Sequence, residues 1–326
     1  MEANVNLTMN NLVIKPYKDK DEDSIVELFH SVYGKIITIN YWNWRFKNAP
    51  AGNGIIQLGW DKNILASHYA VVPIKYSIDN SDYLGCIAES GMTRKEYRRL
   101  GLFPKLAEHI MEQMTNNRMI IIYGFPNYLS HRTHVEEIGW YDIYEIPTMR
   151  LKLINQLLIQ NESYQIIELE EFDSRFDNLW QIARKNYHII SCRDSNQLHW
   201  RYKCNPNTKY RLLAHIDNNN LLGYVVFKQY NEELQIVDIL TASTEPVVGL
   251  ALVMKVANIA RYMNLDSVSL WLSVNTPLHR KLEKNGFQND APITYFTARL
   301  LYEPGLESQI YNARNWYITM GDSDNY

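Results

Sequence analysis

The chain has 326 residues, 46% hydrophobic and 21% charged, with a net charge of −3, which fits a globular protein of two ordinary domains and gives no footprint for nucleic acid. Three cysteines, Cys86, Cys192 and Cys204, stand in no metal-ligand spacing, so a reduced, cytoplasmic setting and no metal are expected. The polar start MEANVNLTMNN lacks the pattern of a signal peptide, and no run approaches the roughly 18 apolar residues of a membrane span, so no membrane partner is expected.

Residues 12–17 (LVIKPY) predict a first strand, and residues 21–33 an amphipathic helix with Ile25, Leu28, Phe29 and Val32 on one face. Residues 41–50 (YWNWRFKNAP) predict a short helix ended by Pro50 and Gly52. Residues 55–60 and 64–78 predict strands joined by a hairpin at Asp61-Lys62-Asn63, and residues 83–93 the next strand. Leu102, Phe103, Leu106, Ala107, Ile110, Met111 and Met114 recur at helical spacing. A short apolar strand at 119–125, a helix at 127–138 and an extended segment at 140–153 follow.

The second half repeats the first. Trp44-Arg45-Phe46-Lys47-Asn48-Ala49-Pro50 recurs as Trp200-Arg201-Tyr202-Lys203-Cys204-Asn205-Pro206, an offset of 156 residues. His131-Arg132 recurs as His279-Arg280 at an offset of 148, and Gly139-Trp140 as Gly286-Phe287 at 147. Strands near 210–216, 221–229 and 234–241, a helix at 245–263 and a strand at 267–272 repeat the element order. Two modules are therefore expected, 1–158 and 159–326, joined near residues 158–163.

The strand ending at Thr93 leads into a basic turn with Arg94, Lys95, Arg98 and Arg99, then Gly101 at a helix start. Free backbone N–H groups and the positive end of the helix dipole, approached closely at a glycine, suit a phosphate or pyrophosphate. The second module has Pro246-Val247-Val248-Gly249 in place of Arg98-Arg99-Leu100-Gly101. Its helix, VVGLALVMKVANIA, is apolar nearly all round, so burial on most faces is expected.

These residues resemble the GNAT superfamily of acyl-CoA-dependent N-acyltransferases, which carries [QR]-x-x-G-x-[GA] at this junction; here it stands as Arg98-Arg99-Leu100-Gly101-Leu102-Phe103. The chain departs at Lys95, where proline is usual, and at Phe103, where glycine or alanine is commoner. The element order is also that of the family, a mixed sheet with helices on both faces. The resemblance implies an α/β fold of two tandem GNAT-like modules, each a mostly antiparallel sheet flanked by helices. It implies coenzyme A as acyl donor in the first module only, the second being structural or a wall of the acceptor site. The cofactor residues it implies are Met92, Thr93, Arg94, Arg98, Arg99, Leu100, Gly101, Leu102 and Phe103, with Asn127 and Ser130 as helix caps that also touch the pantetheine arm.

Attack of an amine on a thioester needs proton removal and stabilisation of an oxyanion. The tyrosine that many relatives use as acid is replaced here by Val135, which leaves His134 and His131 as candidates, while Glu89 on the cofactor strand is the candidate base. The architecture looks most like bacterial enzymes that N-acylate nucleotide-linked amino sugars for surface polysaccharides, with Tyr41, Trp42, Trp44, Arg45 and Tyr128 as acceptor contacts. A protein or antibiotic N-acetyltransferase and a non-catalytic tandem module that responds to coenzyme A are the alternatives. A peptidyltransferase of the Fem type is disfavoured by the basic turn. A monomer or homodimer is expected. In the tail, Trp316 and Tyr317 are expected to dock and Asp322 and Asp324 to face an acceptor.

Overall fold

A computed structural model describes residues 12–153 and 165–326. The junction expected near residues 158–163 lies outside the described residues. In chain order the elements are β1 (Leu12–Pro16), α1 (Glu22–Tyr33), α2 (Ile39–Lys47), β2 (Ile55–Asp61), β3 (Ile64–Ile78), β4 (Ser81–Thr93), α3 (Leu102–Asn116), β5 (Ile121–Gly124), α4 (Tyr128–Arg132) and β6 (Tyr141–Lys152). They continue with β7 (Ile166–Leu169), α5 (Ser174–Ala183), β8 (Ile189–Ser191), α6 (Ser195–Leu198), β9 (Arg211–Asp217), β10 (Asn220–Tyr230) and β11 (Glu233–Thr241). The last are α7 (Pro246–Tyr262), β12 (Ser267–Leu270), α8 (Pro277–Glu283), β13 (Gln288–Leu300), α9 (Glu307–Ile310) and β14 (Trp316–Tyr317).

These elements form two compact units. One holds the residues up to Ile74, Leu84–Asp142 and Thr297–Gly305; the other holds Lys75–Tyr83, Ile143–Phe296 and Leu306–Tyr326. In the first unit the strand order is β1-β2-β3-β4-β5, closed by the end of β13. β4 and β5 are parallel, paired at Cys86↔Ile122 and Ile87↔Tyr123, and Thr297–Leu300 pairs antiparallel with β5. The apolar stripe of α3 packs on this sheet with Tyr69, Val71, Cys86, Ile122, Ile138 and Trp140. α1 ends at Gly34, whose φ of 66° is the left-handed conformation of a helix C-cap. The Thr38 side chain caps α2 by accepting from the Tyr41 N–H.

In the second unit the order is β13-β6-β12-β11-β10-β9-β7, with β11 and β12 parallel. The strand that follows α4 in sequence, β6, thus pairs with β12 (Arg150↔Ser269), while the end of the chain's last long strand, β13, pairs with β5. The last strand of each half of the sequence is exchanged. α7 is buried along most of its length, at Gly249, Ala251, Leu252, Val253, Met254, Val256, Ala257 and Ala260, with Val247, Lys255 and Tyr262 exposed. Gly249 lies inside α7 rather than at its start. Its lack of a side chain admits Leu278, whose Cδ2 would lie 2.7 Å from a Cβ built there, so it is a packing glycine and no counterpart of Gly101.

The tail docks through β14, which pairs in parallel with β8, and both Trp316 and Tyr317 are buried. Asp322 is buried as well. It accepts from Arg193 Nη2 at 2.7 Å and also bonds Ser191 and Thr319, so it does not face an acceptor. Asp324 is exposed.

Candidate active site

The candidate site is the open end of β4 in the first unit. β4 and β5 pair through Ile87↔Tyr123, and the β4 residues beyond lead to the basic turn. The turn spans residues 94–101. Tyr97 anchors it, buried and donating to Asp61 Oδ2 at 2.9 Å. Arg94 ties the turn to the sheet through Leu65 O at 2.8 Å and to Glu27 at 2.7 Å, so this cation is committed to protein groups. Arg98 and Arg99 are exposed, and Arg98 Nε lies 3.3 Å from Thr93 O. Arg99 and Gly101 have φ of 66° and 73°, and α3 starts at Leu102. The first N–H groups of a helix have no intrahelical acceptor, and the dipole there favours an anion. Two exposed guanidinium groups, a left-handed glycine and a helix start fit the diphosphate of coenzyme A.

Three successive carbonyls on the open stretch of β4 are each held by a side chain. His68 Nδ1 donates to Ser90 O at 2.8 Å, the Tyr33 hydroxyl to Gly91 O at 3.0 Å, and Ser67 Oγ to Met92 O at 3.0 Å. Ser90 has a φ of 51°, a conformation that costs a non-glycine residue about 1–3 kcal/mol and is fixed here by its His68 partner. Burial lowers the His68 imidazole to about 4; it is neutral, with the proton on Nδ1. Gly91 is required by a close approach, since a Cβ there would lie 2.6 Å from Phe103 Cε2. The large Phe103 is thus accommodated by Gly91 and stacks edge-on with Tyr69 at 4.9 Å.

Glu89 and Arg45, expected in separate roles, are brought together. Glu89 Oε2 accepts from Arg45 Nε at 2.6 Å, a second guanidinium nitrogen contacts Oε1, and both residues are buried. Arg45 is therefore turned onto Glu89 rather than toward an acceptor diphosphate. Trp42 and Trp44 are also buried, so their rings serve packing, Trp44 against Tyr41 at 5.3 Å. Tyr41 is half-buried, while Tyr128 is 81% exposed.

Asn127 caps α4, its Oδ1 accepting from the Leu129 and Ser130 N–H groups, both at 3.0 Å. His131 Nε2 meets Asp142 Oδ1 at 2.6 Å. His134 lies in an aromatic cluster with Phe103, Tyr69 and Trp140. Its Nδ1 donates to Ser130 O at 2.8 Å and its Nε2 accepts from the Tyr69 hydroxyl at 3.2 Å. Burial lowers it to about 4. A neutral imidazole with both nitrogens engaged is a poor acid. Tyr33, Ser67 and His68 were not legible as site residues, because only the β3–β4 register and the end of α1 bring them to β4.

Residues 13–141 match the family model described as an acetyltransferase (GNAT) domain. No curated protein matches the chain. A conserved Enterococcus faecalis protein, described as a probable N-acyltransferase, is similar at a TM-score of 0.71 and 12% identity, over 89% of this chain and 73% of that one. A GCN5-related N-acetyltransferase from Anabaena variabilis is similar at 0.70 and 14%, over 89% and 73%. The N-myristoyltransferase of Saccharomyces cerevisiae, solved with myristoyl-CoA, is similar at 0.63 and 10%, over 93% and 81%. The chain shares its fold with these three proteins.

Proposed function

We propose that this chain transfers an acyl group from an acyl-CoA to a primary amine, with the donor held by the first unit. The observation that carries this is the turn at residues 94–101, where Arg98, Arg99, left-handed Gly101 and the start of α3 form an anion site at the open end of β4. The N–H groups from Arg99 to Phe103, with the Arg98 side chain, hold the diphosphate, and Met92 and Thr93 lie along the pantetheine arm. The acyl-CoA, when bound, supplies a thioester carbonyl activated toward amines. Glu89, kept in place by Arg45, draws the amine proton through water, and backbone N–H groups of the open β4 stretch meet the developing oxyanion. Asn127 and Ser130 flank the arm from α4.

The acceptor we propose is a nucleotide-linked amino-deoxy sugar of the kind used in bacterial surface polysaccharides. Exposed Tyr128 offers an aromatic face for a base or sugar, beside the His131–Asp142 pair. Thiol release from acetyl-CoA and from a longer acyl-CoA, with nucleotide-linked 3- or 4-amino-6-deoxyhexoses as acceptors, tests the proposal. Turnover on polyamines, lysine peptides or aminoglycosides, with none on the amino sugars, overturns the acceptor class and leaves acyl transfer standing. No thiol release with any amine overturns the catalytic reading.

A further inference from the structure

The second unit contains a cavity of about 400 Å³ on which acyl transfer makes no call. β6 lends it Tyr144 and Ile146, two residues apart and so on one face of the strand. Phe296 of β13, Trp316 of β14 and Ile318 join Ile146 as its floor, and all four are buried. Val274, between β12 and α8, and Arg314, just before β14, stand exposed at its mouth.

The polar groups of the floor are spent on the protein. Ser273 Oγ donates to Trp316 O at 2.8 Å, and Trp316 Nε1 donates to Ile310 O at 2.7 Å. The surface left to a ligand there is apolar and largely aromatic. The Phe296 and Trp316 ring centroids are 5.0 Å apart at 82°, and those of Trp316 and Tyr76 are 6.1 Å apart at 84°. Edge-to-face rings of this kind pack well with one ring more.

The mouth has the opposite character. Arg314 is clamped by its backbone, the N–H donating to Asn312 Oδ1 at 3.1 Å and the carbonyl accepting from Asn275 Nδ2 at 2.7 Å. Among the described residues its guanidinium has no hydrogen-bond or ion-pair partner, and no acidic side chain lines the cavity. The Tyr144 hydroxyl likewise has no partner among them, and burial raises its pKa, so it keeps its proton at neutral pH. A planar fork of N–H donors beside a phenolic O–H suits a carboxylate. An ammonium group would be repelled there, and an uncharged ligand would leave the guanidinium unmatched. A cavity of this size takes a small molecule.

We propose that this cavity binds an aryl carboxylate, a single aromatic ring with one carboxylate on a short arm. The ring lies against Phe296 and Trp316, and the carboxylate accepts from the Arg314 guanidinium and the Tyr144 hydroxyl. The site is built from second-unit residues alone and needs no acyl-CoA, so it stands or falls apart from the acyl-transfer function.

The test is calorimetry of the full chain with phenylacetate as the probe. One site per chain with a Kd of about 1 mM or lower is expected, within reach of a ligand this small. Phenylacetamide, which keeps the ring and loses the charge, should bind about tenfold more weakly, and 2-phenylethylamine should not bind. Arg314→Gln and Tyr144→Phe should each weaken phenylacetate about tenfold, and Val274→Glu, a carboxylate at the exposed mouth, should abolish it. No binding of phenylacetate overturns the proposal, as does equal affinity for the acid, the amide and the amine. Unchanged affinity in Arg314→Gln and Val274→Glu places the site elsewhere and overturns it too. Binding of octanoate without phenylacetate would make the occupant an alkyl chain and overturn the aryl class.

Discussion

The strand before the long helix ends differently in the two units. In the first, β4 reaches α3 through the eight residues 94–101; in the second, β11 reaches α7 through the four residues 242–245, with Glu245 at the N-cap and Pro246 first in the helix. A carboxylate at that N-cap repels the anion that Arg98 and Arg99 attract. Yet both units place a buried carboxylate two residues beyond the last parallel pair, Glu89 after Ile87↔Tyr123 and Asp238 after Ile236↔Leu270. Each meets a buried arginine, Arg45 in the first unit and Arg193 in the second. The repeated Arg201, counterpart of Arg45, instead donates to the carbonyls of Gly321 and Ser323 in the tail. A buried carboxylate–arginine pair thus recurs in both units, whereas the basic turn belongs to the first.

The largest expected effect tests the pairs themselves. Arg193→Met leaves Asp238 and Asp322 buried without a cation and should lower stability by about 3–5 kcal/mol in chemical denaturation. Arg45→Met should cost a similar amount through Glu89. A loss below about 1 kcal/mol in either would show that water reaches the carboxylate. Glu89→Gln sharpens the comparison further. Turnover on the accepted amine should fall about 100-fold with coenzyme A affinity unchanged, while Asp238→Asn leaves turnover alone. Equal losses in both variants would make Glu89 a packing carboxylate like its counterpart.

Gly91→Ala drives a methyl into Phe103 and should cost about 1–3 kcal/mol, most of it recovered when Phe103→Ala is added. Additive effects of the two changes would mean that the ring does not rest on the glycine. The smallest effect concerns pH. His68 and His134 titrate at about 4 in the folded chain against 6.5 ordinarily, so the unfolded chain takes their protons first. Their contribution to stability is complete above pH 6.5 and is lost as the pH falls toward 4, at about 1 kcal/mol per pH unit for each imidazole. His134→Gln should remove its share of that slope; an unchanged slope would place the titration elsewhere.

Much of this was legible in the chain. The periodicity of residues 102–114, the hairpin at Asp61-Lys62-Asn63 and the Trp44-Arg45 and Trp200-Arg201 repeat are local signals, and local patterns survive reading in one dimension. β7, α5, β8 and β14 were not foreseen. β8 and β14 have three residues and two, too short for any period to show. The exchange of β6 and β13 was equally hidden, because strand pairing between residues 149–152 and 267–270 is set by tertiary packing. Side-chain placement was hidden in the same way. Arg45 and the tryptophans of α2 have the composition of a ligand surface, and only their burial shows that they face the sheet. Gly249 looked like Gly101 by alignment, but one is a helix-packing residue and the other a left-handed turn.

The asymmetry between the two units is tested most directly by titrating the full chain with coenzyme A in a calorimeter. One site per chain is predicted, abolished by Gly101→Glu, which combines a disfavoured φ with a negative charge at the start of α3, and unchanged by Gly249→Ser. Two equivalent sites, or a single site that survives Gly101→Glu, would contradict the account.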